Sequence, residues 1–223
     1  MISIWSAIEV LLSDPVDGAR IVHYTANMVP AVCMYHARRQ FHATSNDLKV
    51  LFRGRYTDIL DELPGREISY KPAYALAGCL LLDEHADTRA RLLKLCDEQP
   101  IARHRIDRLS AHYSNIGCTY KALRDHEARV GWQVNRIYRS RNLLVHAGKS
   151  PDYVGQLIQN ADEYFRFLVT AVLMETFGQT ASVSIEGVIH SIKTRYNIRM
   201  QTFKRGNQQA RHDADSLDFL LAV

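Results

Sequence analysis

The feature that most restricts the fold is a run of apolar residues at alternating steps of three and four: Ile106, Leu109, Tyr113, Ile116, Tyr120 and Leu123. Residues so spaced fall on one face of a helix, because each step turns the chain by about 100°. The phase resumes at Val130, Val134 and Ile137, with Gly131 as a possible break, so a helix is expected to run into the segment beyond Ile137. Similar stripes fill most of the chain. Ile4, Ala7, Ile8, Leu11 and Leu12 form one that stops at Ser13-Asp14-Pro15. A second helix starts near Asp17, carries Ile21, Val22 and Met28, and is kinked or ended by Pro30. A third, capped by Asn46 or Asp47, presents Leu48, Leu51, Phe52, Tyr56, Ile59, Leu60 and Leu63 before Pro64-Gly65. Pro72 suits the first turn of a fourth, apolar nearly all round from Tyr74 to Leu82 and therefore expected in the core. After Asp87 or Thr88 the residues Leu92, Leu93, Leu95 and Cys96 continue the period to about Pro100.

Beyond residue 150 a helix from Pro151 to about Phe177 is expected to bury Val154, Leu157, Ile158, Ala161, Phe165, Leu168, Val172 and Leu173, and to end at Gly178. Another, from Ser184 to Tyr196, turns Ile185, Val188, Ile189 and Ile192 inward. No stretch alternates as a strand does. The chain is therefore expected to be all-α, a helical bundle over residues 1–203 followed by a polar linker and tail over 204–223. In that tail Leu217 to Val223 reads as a small apolar hook onto this chain or a partner.

With 223 residues, 47% hydrophobic and 23% charged, the chain can bury a substantial core and is not a disordered one. Cys33, Cys79, Cys96 and Cys118 are widely spaced, without a Cys-x-x-Cys, and read as reduced core residues. Glu9 and Asp14 stand where a signal peptide needs basic and apolar residues, and the longest apolar segment, Ala73 to Leu82, has about half the length of a membrane span. A soluble cytoplasmic chain is the expectation. His212-Asp213 and His85-x-Asp87 are isolated pairs, and there is no His-Glu-x-x-His, phosphate-cradling glycine loop or Gly-x-Ser-x-Gly. Neither a metal nor a cofactor is assigned.

Charge is distributed unevenly. Residues 101–150 hold ten basic side chains against three acidic ones, where the whole chain has a net charge of only +4. A polyanion such as RNA suits this density, although a solvated helix face would also account for it. Within it lies the run from Tyr138 to Ser150. Gly148 reads as the residue just past a helix end, and Ser150-Pro151-Asp152 as a cap, first-turn proline and first-turn carboxylate for the next helix. His146 is thus placed at a helix C-terminus, five residues after Arg141. Five residues turn a helix by about 140°, so the two side chains of one chain do not point at one spot. Either the helix loosens near His146, or two copies assemble the pair across a twofold axis.

The run Arg141-Asn142-Leu143-Leu144-Val145-His146-Ala147-Gly148 resembles the signature of HEPN domains, in particular the Apea-like group, and Ile4-Trp5-Ser6-Ala7-Ile8-Glu9-Val10-Leu11-Leu12-Ser13 resembles the first helix of that group. The resemblance covers about residues 1–203. It implies a homodimer with a shared site that cleaves RNA without metal, the ribose 2′-hydroxyl attacking the neighbouring phosphodiester, in a bacterial antiphage or toxin-type response. A silencing or trigger-sensing partner protein is a further expectation. His146 matches the family histidine and Arg141 the arginine. Imidazole can move a proton near neutrality, and a guanidinium offers a planar donor fork to phosphoryl oxygens. Asn142, at the polar position after the arginine, is a candidate to orient His146 or the phosphate, and Arg136, Arg139 and Lys149 are candidates for backbone-phosphate contacts. Glu9 matches an acidic position of the first helix and is expected on a helix face or as a partner for a motif arginine. Gly148 departs from those toxins that carry a tyrosine two positions after the histidine. The reading from another class is a non-catalytic helical module that binds RNA or a protein partner.

Overall fold

Apolar spacing of three and four becomes helix over nearly all of the chain that the computed structural model describes, residues 1–12, 20–63, 72–149, 152–177 and 184–221. In order these are α1 (Ile2–Leu12), α2 (Arg20–Met34), α3 (His36–Phe52), α4 (Gly54–Asp61), α5 (Pro72–Leu81), α6 (Ala86–Cys96), α7 (Pro100–His112), α8 (Ile116–Ala147), α9 (Val154–Thr176), α10 (Ile185–Arg205) and α11 (Ala214–Leu221). A 3-10 turn, Asp83–His85, precedes α6. The fold is all-α, with no strand among the described residues. Among them, too, no helix is long and apolar enough to cross a membrane. The helix signals expected at Ser13-Asp14-Pro15, Asp17, Pro64-Gly65, Ser150-Pro151 and Gly178 lie outside the described residues.

The helices gather into two compact units, Met1–Met34 with Arg124–Ile198, and Tyr35–Leu123 with Arg199–Val223. In the first unit α2 packs on α1 and α9, and α1 also packs on α9. Trp5 is its anchor. The indole is fully buried, edge-on to Tyr24 at 5.8 Å between ring centroids and tilted against Tyr138 at 5.5 Å. Pro30 does not end α2, which continues to Met34. Proline removes a helical N–H and crowds the preceding turn, but Val29 to Met34 are all buried, and that packing holds the last turn in place. In α9 the expectation for Leu173 fails. Leu173 is 52% exposed and Glu175 is buried in its stead, accepting hydrogen bonds from Ser191 Oγ at 2.7 Å and Arg195 Nη1 at 2.6 Å. Ile185, also expected inward, is exposed.

Gly131 does not break α8, which is one 32-residue helix. A Cβ added there would meet Val29 Cγ2 at 3.9 Å and Thr25 Cγ2 at 4.0 Å, ordinary contact distances. Glycine in a helix interior costs about 0.5–1 kcal/mol relative to alanine. Gly131→Ala is therefore expected to raise stability by that amount, read as a higher urea midpoint at unchanged slope.

In the second unit α5 is buried along its whole length after Pro72, as its composition requires, and packs chiefly on α3. The single helix expected from Asn46 to Leu63 is two. α3 starts ten residues earlier, at His36, and stops at Arg53, which adopts φ 51°; α4 begins at Gly54. Leu51 consequently faces solvent, while Ser45 and Tyr56 share a hydrogen bond of 2.7 Å. The stripe from Ile106 to Leu123 is likewise interrupted. α7 ends at His112, Tyr113 is buried and donates to Gln40 Oε1 at 2.7 Å, and Asn115 Oδ1 accepts the backbone N–H of Cys118 at 2.7 Å to cap α8.

The stretch read as a polar linker is fastened to the start of α8. Ile116 N donates to Ala210 O at 3.0 Å and Gly117 N to Gln208 O at 3.1 Å, and a Cβ on Gly117 would stand 2.9 Å from Gln208 O. His212 is buried against Thr119 Oγ1 at 2.8 Å, and that burial pushes its pKa down to about 4. Leu217, Leu220 and Leu221 of α11 are buried, so the apolar hook closes on this chain. The cysteines are free. Burial pushes the Cys79 thiol up to about 12 and the Cys96 thiol up to about 11.

Candidate functional site

The residues singled out in the sequence, Arg136, Arg139, Arg141, Asn142, His146 and Lys149, all belong to the C-terminal turns of α8 or the two residues after it. α8 stays helical to Ala147, where Gly148, at φ +62°, turns its N–H to Leu144 O at 3.2 Å. That left-handed residue just past the end is a usual helix stop. It leaves His146 in the last turn, exposed to solvent. The helix does not loosen near His146, so one chain alone does not bring Arg141 and His146 together.

Arg141 points the other way, toward α1. Its Nη2 donates to Glu9 Oε2 at 3.1 Å, with each side chain only 20% exposed, and its Nη1 donates to Asn142 Oδ1 at 3.1 Å. Glu9 is held in turn by the buried Trp5, whose Nε1 donates to Glu9 Oε1 at 2.9 Å. Indole, carboxylate and guanidinium thus form a chain running from the core to Arg141. The Arg141 Nε–H is buried and has no acceptor among the described residues. Asn142 thus accepts a hydrogen bond from its neighbour Arg141.

Arg136 and Arg139 lie on the face of α8 that carries His146. Steps of four, three, four and three link Trp132, Arg136, Arg139, Leu143 and His146, a stripe about 80° wide on an ideal helix. Trp132 is 62% exposed, Leu143 is 44% exposed, and Arg139 is exposed. The Arg136 guanidinium carbon lies 4.8 Å from the ring centroid of Trp132 and 4.8 Å from that of Tyr153. Neither Trp132 nor Tyr153 stood out in the sequence. The interval of four between Trp132 and Arg136 was the available signal; Tyr153 lies beyond the end of α8. Lys149 is exposed immediately beyond Gly148.

Part of the basic excess is neutralised within the chain. Arg103 pairs with Asp97 and Asp107, Arg105 with Asp47, and Arg124 with Glu127, mostly at exposed positions where such pairs are worth little for stability. Tyr113, of the apolar run, is a core residue. No cluster of three or more His, Cys, Asp or Glu side chains suited to a metal ion occurs among the described residues. Comparison of the chain with protein-family models, with curated proteins and with solved structures finds no match in any of the three.

Proposed function

We propose that this all-α protein is a metal-independent endoribonuclease of HEPN type, acting as a homodimer in a bacterial antiphage or toxin-type response. The observation that carries the reading is the end of α8, where an exposed imidazole in the last helical turn follows by five residues an arginine fixed from α1. A twofold axis near this end would set Arg141 of one copy beside His146 of the other, which the divergence of the two within one chain requires. His146 then moves the proton of the attacking 2′-hydroxyl or of the leaving 5′-oxygen, and Arg141 stabilises charge on the phosphoryl oxygens. Bond formation by O2′ and release of O5′ leave a 2′,3′-cyclic phosphate.

The second reading, a non-catalytic helical module that binds RNA or a protein, draws on the Glu9 carboxylate. It already occupies one edge of the Arg141 guanidinium, as a purely structural arginine would have it. Incubation of the purified chain with labelled single-stranded RNA in EDTA separates the two. Fragments ending in 2′,3′-cyclic phosphate are expected; intact RNA from a chain shown by sedimentation to be dimeric would favour the module.

A further inference from the structure

The stripe on α8 has a composition that ordinary helix surfaces lack. A solvent-facing tryptophan is costly to leave exposed, and Trp132 is 62% exposed. The Arg136 guanidinium lies over the Trp132 ring and over that of Tyr153, itself 51% exposed. Arg139 follows one turn on, then Leu143, then His146, so that fourteen residue steps from Trp132 span about 21 Å of helix axis.

We propose that this stripe is a track for single-stranded RNA, with a base stacking on Trp132 and the backbone running past Arg136 and Arg139 toward His146. The assignment rests on the ribonuclease reading and adds to it the substrate's strandedness and its direction of approach. Bases inside a duplex are stacked on each other and offer no free π-face to an indole, so the platform selects unpaired nucleotides. Arg136 has a divided role. Its guanidinium carbon lies over both the Trp132 and the Tyr153 ring, and a guanidinium can offer its planar fork of N–H donors to phosphate while it lies against an aromatic ring. Charge complementarity sets the occupant: Arg136, Arg139 and Lys149 lie on this end of α8 and the segment contains no carboxylate from Ala128 to Pro151.

Fluorescence anisotropy with a labelled 2′-O-methyl oligonucleotide tests the track whether or not the chain cleaves, because that probe lacks the attacking hydroxyl. Trp132→Ala is expected to weaken binding of the single strand roughly ten- to a hundredfold. Trp132→Phe restores most of the loss, and an abasic oligonucleotide of equal length binds both proteins equally weakly. Arg139→Gln lowers the slope of log affinity against log salt by about 0.7 without altering the preference for bases. Equal affinity of wild type and Trp132→Ala, or equal binding of duplex and single strand, overturns the proposal. So does a shift of Trp132→Ala to monomer in sedimentation with RNA affinity unchanged, which would make the stripe a contact between copies of the chain. Loss of cleavage with the base-dependent binding intact sinks the ribonuclease reading alone.

Discussion

His146→Ala is expected to abolish RNA cleavage while leaving the fold as it is. The imidazole stands in the last turn of α8, exposed, and its removal opens no cavity. A positioned general acid or base contributes about 10²–10⁴ in rate. Cleavage of a labelled single strand should therefore fall by at least about a hundredfold, with helix content and unfolding midpoint unchanged. Because the proposed site is shared, mixing inactive His146→Ala with inactive Arg141→Ala should restore activity in those heterodimers that keep one intact Arg–His pair. A His146→Ala rate within twofold of wild type would remove the histidine from the mechanism.

The opposite pattern is expected of Trp5→Ala, whose effect begins with stability. A fully buried indole packed on Tyr24 and Tyr138 is being truncated. Changes of this kind cost about 3–5 kcal/mol through lost transfer energy and the cavity left behind. The N–H that fixes Glu9 is lost with the ring, so Glu9 and Arg141 should also gain freedom. The measurement is the urea midpoint, and Trp5→Phe separates the two consequences: it refills part of the volume without supplying the N–H. If Trp5→Ala unfolds at the wild-type midpoint, the indole is not the anchor of its unit.

Helical class was legible because stripes such as Ile106 to Leu123 repeat at one period, but the ends of helices were not. α3 begins at His36 unseen because its early buried face includes Ala37, Thr44 and Ser45 around Phe41, side chains that no hydropathy pattern marks. The stop at Arg53 is a backbone conformation, φ 51°, at a residue type that seldom adopts it. The break at Tyr113–Asn115 was hidden by an apolar phase that carries across it, although Asn115 just before Ile116 was a readable cap. At the candidate site, spacing alone foretold the divergence of Arg141 and His146, and Glu9 was expected on a helix face or as partner to a motif arginine, which is where α1 places it. The contact of Arg136 with Tyr153 could not be foreseen, since Tyr153 lies beyond the end of α8 and no helical spacing relates the two.

The chain of contacts from Trp5 through Glu9 to Arg141 has a thermodynamic consequence. A phosphate binding at Arg141 would meet a cation that already has an anionic resident, so it would gain the difference between two ion pairs and not the whole of one. The indole N–H sets the size of that difference, because a carboxylate held at both ends is harder to displace than one free to swing into water. Geometry fixed in the core would thereby govern how readily the guanidinium could exchange that partner for another.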